Sequence, residues 1–209
     1  MFLACLAPLA LLAWDAWSAN LGANPITAII ARNGRWALRF LLITLAITPA
    51  RRLSGWTWLI RYRRMLGLFA FTYACLHAAS YLVLDQFFAW RMILEDVTKR
   101  PYITIGATAF TLLVPLAVTS TKKMIRRLGK RWLQLHRLIY VIGFLGVLHF
   151  LLLVKSDISS PAKYGAILLL LLGIRAWTWW GRAMMEWATG ALAAARRGLL
   201  LRRRAGVAK

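Results

Sequence analysis

The sequence predicts an all-α integral membrane protein, a six-transmembrane-helix bundle with both termini cytoplasmic. Three observations predict it. Of 209 residues, 61% are hydrophobic and only 16% charged, and the mean hydropathy is +0.62, too apolar for a soluble domain of this size. The apolar runs approach or exceed the ~18–20 residues that cross a ~30 Å hydrocarbon layer. Basic residues, finally, collect between alternate runs.

The first run extends from Phe2 to about Trp17 and is followed by a Gly/Asn/Pro turn at Leu21–Pro25. It has neither a basic start nor a cleavage site, so it reads as a retained span; the missing basic start predicts that Met1 is not the true start. The second run, Trp36–Ala50, is short and is expected to begin earlier, around Ile26, and to close at Pro49 and the basic segment Arg51–Arg64. The third is Met65–Leu84. A mixed loop, Asp85–Arg100, leads to Pro101, placed as the first residue of a helix. The fourth run is Tyr102–Ser120, with a kink expected at Pro115. The fifth is Trp132–Val154 and the sixth Tyr164–Trp180. Residues 1–180 thus form one transmembrane domain, and residues 181–209 a basic, partly amphipathic cytoplasmic tail. No long linker, repeat or second domain is visible.

Charge sets the orientation. The segment Ala50–Arg64 has five basic residues, Ser120–Arg131 six and the tail seven, against a single acidic residue, Glu186. The opposite segments, Ser18–Arg35, Asp85–Arg100 and Lys155–Lys163, hold two, three and two basic residues and four of the six acidic ones, Asp85, Glu95, Asp96 and Asp157. The basic side is cytoplasmic by the positive-inside rule. Trp36, Trp132, Tyr164, Trp177, Trp179 and Trp180 near span ends suit interfacial belts. The net charge of +22 and pI of about 11.6 would suggest nucleic acid for a soluble chain; here they belong to membrane topology, and no nucleic-acid partner is expected. Cys5 and Cys75 lie inside apolar runs without ligand spacing and read as small buried hydrophobes.

The chemistry rests on three histidines. His77 lies in the third run, His136 and His149 in the fifth, and none in a loop. A polar side chain in hydrocarbon is costly and faces the bundle interior for a reason. The bland alternative is a histidine hydrogen-bonded to a neighbouring helix. Three on two helices favour metal or haem ligation. Zinc is disfavoured, since no Cys, Asp or Glu stands near to complete a tetrahedron; haem needs only one or two axial imidazoles and apolar walls. Phe69, Phe71, Tyr73, Tyr140, Phe144 and Phe150 are candidate walls. At ~1.5 Å per residue, His77, His149 and His136 lie roughly 20, 27 and 8 Å from the cytoplasmic face. The expected site is therefore a bis-histidine haem b between His77 and His149 in the outer half of the bilayer. His136 marks a second site nearer the cytoplasm.

Arginines could complete these sites. Arg63, Arg64 and Arg137 could pair with haem propionates or a flavin phosphate on the inner side. Arg32, Arg35 and Arg39 fall along one helical face near the outer side and could hold outer propionates. Interfacial snorkelling is the competing reading for all of them.

The stretch RRMLGLFAFTYACLHAASYLVLD, then RPYITIG, then AVTSTKKMIRRLGKRWLQLHRLIYVIGFLGVLHF resembles the MsrQ (YedZ) family, haem-binding membrane subunits of the periplasmic methionine sulfoxide reductase system. The resemblance covers roughly residues 20–180 and includes all three histidines. More distantly, the layout is similar to the ferric reductase and NADPH oxidase membrane domain, where two histidine pairs on two helices hold two haems. This chain departs by lacking the second histidine on its third span. The resemblance implies a bacterial inner-membrane electron-transfer subunit without substrate chemistry of its own. It implies one or two haem b groups, and FMN on resemblance alone. The donor would be the quinone pool or a cytoplasmic flavin reductase, and the acceptor a periplasmic molybdopterin subunit that reduces methionine sulfoxide in damaged envelope proteins. Two other readings remain open: a stand-alone cytochrome b or metal-reductase membrane domain with another acceptor, and a haem-free transporter or scaffold. Against the second stand the absence of an inverted repeat and of an acidic relay beyond Asp15.

Overall fold

The computed structural model describes the backbone of residues 1–154 and 157–207, with side chains described throughout the first stretch and for fewer positions beyond residue 181. The described residues form nine α-helices, a 3-10 turn and a π turn, with no strand. They are α1 (Phe2–Trp17), α2 (Pro25–Ser54), α3 (Ile60–Ser80), α4 (Trp90–Lys99), α5 (Pro101–Val118), α6 (Lys122–Leu128), α7 (Lys130–His136), α8 (Leu138–Leu153) and α9 (Ser159–Val207). Two compact units are distinguished, Met1–Leu168 and Leu169–Lys209. In the second, several outward-facing apolar side chains are strongly exposed, among them Leu169, Leu170 and Trp177. The basic side chains of the expected tail, and Lys155 in the preceding loop, lie outside the described residues.

Among the described residues, three segments are long and apolar enough to cross a membrane: Thr57–Asp85, Pro101–Val118 and Lys130–Leu153. Phe2–Trp17 is a shorter apolar helix. Helix α2 is longer than its apolar run. It starts where the Asn24 side chain accepts from the Thr27 N–H at 3.1 Å and Pro25 supplies the first helical residue. It passes through Pro49 and ends only at Gly55, whose φ of 74° is the left-handed cap glycine tolerates. Arg51 and Arg52 sit in its last turn, where cations suit the exposed carbonyls.

Two segments read as loops are helical instead. The basic stretch after α5 contains α6, capped by Thr121, whose hydroxyl accepts from the Met124 N–H at 3.3 Å. The mixed segment after α3 contains α4, which turns one face inward: Ile93 is buried, and Asp96 and Val97 are half-buried beside it. Its other faces mix charged residues with the exposed Trp90, Met92 and Leu94, so it does not register as a continuous apolar run.

The core is centred on α2 and α3. Leu38, Phe40, Leu41, Leu42 and Leu45 of α2 are buried, as are Leu66, Phe69, Ala70 and Tyr73 of α3. Trp36, Phe40, Phe69 and Tyr73 form an aromatic cluster with neighbouring centroids 5.2–6.5 Å apart. The Tyr73 hydroxyl donates to the Cys5 carbonyl at 2.9 Å and ties α1 to this cluster.

The expectation of no repeat is corrected by the fold. The two most extensive helix pairings are α2 with α3 and α5 with α8. One constant shift in residue number carries Ile30, Gly34 and His77 of the first pair onto Tyr102, Gly106 and His149 of the second. Two like helix hairpins therefore stand side by side, each carrying one histidine on its second helix.

Candidate functional site

Each of these histidines is held in the same way. His77 Nδ1 lies 2.9 Å from the Ile30 carbonyl oxygen, and His149 Nδ1 lies 2.6 Å from that of Tyr102. In both cases the acceptor is 47 residues upstream. A carbonyl only accepts, so each Nδ1 carries a proton, and in a neutral imidazole Nε2 is then the nitrogen left with the lone pair. One turn beyond each carbonyl stands a glycine. A Cβ at Gly34 would lie 2.9 Å from His77 Nδ1, and one at Gly106 would lie 2.7 Å from His149 Nδ1. No side chain larger than hydrogen fits there while the rings keep these positions. Glycine is the residue that lets a neighbouring helix approach so closely.

The two rings lie close to each other, one from each hairpin. Their centroids are 6.0 Å apart and their planes cross at 79°. Neither Nε2 makes a hydrogen bond among the described residues. Two imidazoles that leave Nε2 unengaged at this spacing suit a single metal centre held from both sides at the usual ~2.0–2.1 Å metal–imidazole distance. A carbonyl partner on the far ring nitrogen is the arrangement that fixes tautomer and ring orientation in such ligands.

Helix α4 is tied to both helices beside this pair. Tyr81, one turn above His77, donates to Asp96 of α4 at 2.9 Å, and Asp96 also pairs with Arg100 at 3.0 Å. The Thr104 hydroxyl of α5 donates to the Val97 carbonyl. Tyr81 opens the π turn Tyr81–Asp85, a local widening of the helix that is frequent at functional positions. Phe87 and Phe88 follow at φ 46° and 57°, strained for bulky residues.

His136 is separate from this pair. It lies on α7, its Nδ1 is 3.1 Å from its own Trp132 carbonyl, and its ring stacks on Trp132 with centroids 3.9 Å apart. Trp132 is itself held by its indole N–H donating to the Thr119 carbonyl at 3.0 Å. His136 Nε2 is buried, and the Leu116 backbone also acts on the ring. The shift that relates the hairpins carries Arg64 of α3 onto His136, just ahead of α8, so arginine and histidine stand at corresponding positions.

Arg64 and Arg137 are exposed, while Arg63 is half-buried and acts electrostatically on His136. Arg39 is directed elsewhere. Its Nε donates to the Tyr164 hydroxyl at 2.9 Å, and its guanidinium carbon lies 4.6 Å from the Trp36 ring centroid. At about 100° per residue, Arg32, Arg35 and Arg39 occupy the face of α2 roughly opposite Ile30 and Gly34. The structure brings together His77 and His149, but not Arg39 with them. What the sequence reading missed is the cradle, Ile30 with Gly34 and Tyr102 with Gly106. Its one visible signal was glycine within helices, where it costs roughly 1 kcal/mol relative to alanine and so needs a packing reason.

The class defined by this geometry is a helical membrane protein that brings together two imidazoles, one from each of two like hairpins. The ferric reductase like transmembrane component family matches residues 33–147. Among named relatives, "Protein-methionine-sulfoxide reductase heme-binding subunit MsrQ" of Xanthomonas oryzae pv. oryzae (strain MAFF 311018) is 58% identical over 180 residues, 83% of each chain. The protein of the same name from Rhodospirillum rubrum is 56% identical over 176 residues, 84% of this chain and 85% of its own. No solved structure matches the chain. The chain belongs to the ferric reductase-like transmembrane family and, within it, to the MsrQ subunits.

Proposed function

We propose that this chain is the membrane electron-transfer subunit of a periplasmic methionine sulfoxide reductase system, with one haem b between His77 and His149. The observation that carries the reading is the mirrored pair of imidazoles, each with Nδ1–H fixed on a carbonyl and Nε2 free, 6.0 Å apart. Haem, when bound, supplies a reversible one-electron carrier in a low-dielectric setting. The residues do the rest. Ile30 and Tyr102 carbonyls hold both rings in the ligating tautomer, and Gly34 and Gly106 let the rings sit against the neighbouring helices. Helix α4 is tied to both helices beside the pair.

Six spans are assigned, α1, α2, α3, α5, α7 with α8, and the first part of α9, with both termini in the cytoplasm. The basic segments around Arg51–Arg64 and Lys122–Arg131 face that side. The protein then sits in the bacterial inner membrane with the His77–His149 pair towards the periplasm. Residues 1–180 are the haem-binding domain and 181–209 a cytoplasmic tail. Electrons come from the quinone pool or a cytoplasmic flavin reductase. Outside, the acceptor is a molybdopterin methionine sulfoxide reductase subunit, and the α4 region is its docking side. His136, with its buried Nε2 and with Arg63, Arg64 and Arg137 around the same level, marks an inner site for a second haem or for FMN.

The test is reconstitution of the purified chain in vesicles with a chemical donor on the cytoplasmic side and the periplasmic reductase on the other. Methionine sulfoxide reduction that requires the chain, and is lost in His77→Ala, supports the reading. Reduction at the same rate in vesicles without the chain contradicts it.

A further inference from the structure

The face of α2 turned away from the histidines carries a second concentration of charge. Arg32, Arg35 and Arg39 line a cavity of about 310 Å³ together with Asp15, Asn33, Trp36 and, from α1, Pro8, Leu11 and Leu12. Arg32 is paired with Asp15. Arg39 is engaged by Tyr164 and Trp36. Arg35 is half-buried and makes no hydrogen bond or ion pair among the described residues; the cations acting on it are Arg39 and Arg32. Three guanidiniums thus share one carboxylate. A guanidinium cannot relieve this by losing its proton, and an unpaired charge out of water is costly. Asn33 adds a second unmet demand: it is 4% exposed, and its Oδ1 is buried without a partner.

We propose that this cavity binds the phosphodiester headgroup of an anionic phospholipid. Guanidinium forks match phosphate in bidentate geometry, and a phosphate would supply Arg35 with its missing partner. A hydroxyl on the headgroup would supply the donor that Asn33 Oδ1 lacks. The opposite wall favours a lipid over a soluble anion. Pro8, Leu11 and Leu12 are apolar, and Leu11 is 63% exposed, continuous with Leu3 at 79% on the outward surface of α1. An acyl chain can follow that surface. Trp14 and Trp17, 67% and 88% exposed at the same end of α1, mark the headgroup level where indoles collect. The volume is at the lower limit for ligand pockets and suits a headgroup rather than a whole flavin nucleotide.

The experiment uses the full chain, delipidated in neutral detergent, with Arg35→Gln beside it. Phosphatidylglycerol, phosphatidylcholine and inorganic phosphate are the probes, and retained lipid is read by native mass spectrometry and thermal unfolding. The wild type retains about one phosphatidylglycerol per chain and is stabilised by it, with phosphatidylcholine at least tenfold weaker. Arg35→Gln loses phosphatidylglycerol at least tenfold. Removing the unpaired cation also raises the melting temperature of the lipid-free protein, a sign opposite to that of a variant that merely misfolds. The visible spectrum of the same samples reports the histidine site separately. Equal retention of the two lipids, equal retention by Arg35→Gln, or stabilisation by inorganic phosphate as strong as by phosphatidylglycerol overturns the proposal.

Discussion

Replacing Gly106 by alanine puts a methyl carbon where the His149 ring now lies. The added Cβ would stand 2.7 Å from Nδ1 and 2.9 Å from Cε1, while ordinary contact begins near 3.4 Å. The ring must retreat by about 0.7 Å, and it is tethered to the Tyr102 carbonyl at 2.6 Å. Overpacking of this kind costs ~1–3 kcal/mol, and losing the hydrogen bond a further ~0.5–1.5 kcal/mol. Alanine returns ~1 kcal/mol of helix propensity. The net destabilisation is ~0.5–3.5 kcal/mol. The effect on ligation is sharper, because the carbonyl that orients His149 is lost: a ~10–100-fold weaker hold on haem. The assay is haem titration of purified protein, with thermal unfolding alongside. Gly146→Ala is the control, since a Cβ there would meet Leu38 at 3.5 Å, an ordinary contact. That variant should bind haem normally and gain up to ~1 kcal/mol. Haem affinity in Gly106→Ala equal to that in Gly146→Ala refutes the cradle argument.

Other predictions follow the same geometry. Tyr81→Phe removes the hydroxyl that holds Asp96, so amide hydrogen exchange across α4 should rise while the bis-histidine spectrum persists; unchanged exchange would mean that α4 is held by other contacts. Trp132→Phe deletes the indole bond to the Thr119 carbonyl and part of the stack on His136. It should cost ~0.5–1.5 kcal/mol in thermal unfolding without altering the spectrum of the outer site. Tyr73→Phe, at a side chain 1% exposed, loses the bond to the Cys5 carbonyl and should lower stability by ~0.5–1.5 kcal/mol, read by the same unfolding assay.

Much of this was legible in the chain, and for physical reasons. Hydrocarbon thickness forces apolar runs, so α3, α5 and α8 announce themselves, and Pro101 opens α5 as its missing N–H allows. Histidine is conspicuous in such runs, and counting turns along two helices placed His77 near His149 and away from His136. The rest is carried by backbone. The groups that orient both rings are the carbonyls of Ile30 and Tyr102, which any residue could supply. The repeat is faint in the sequence because its two copies share the glycine and the histidine but little else: Arg64 answers to His136 and Asn33 to Ile105. Hydropathy also hides short amphipathic helices, since α4 turns only Ile93, Asp96 and Val97 inward. Spacing alone showed that Arg32, Arg35 and Arg39 share a face; only the packing of α1 showed which way that face looks.

The central claim is that His77 and His149 hold one haem between them and that His136 does not share it. Haem-to-protein ratio and redox titration of the purified wild type, His77→Ala, His149→Ala and His136→Ala test it directly. Loss of the low-spin haem signal in the first two variants, with much of it kept in His136→Ala, is the predicted result. Equal loss from all three, or a full haem complement in His77→Ala, would contradict it.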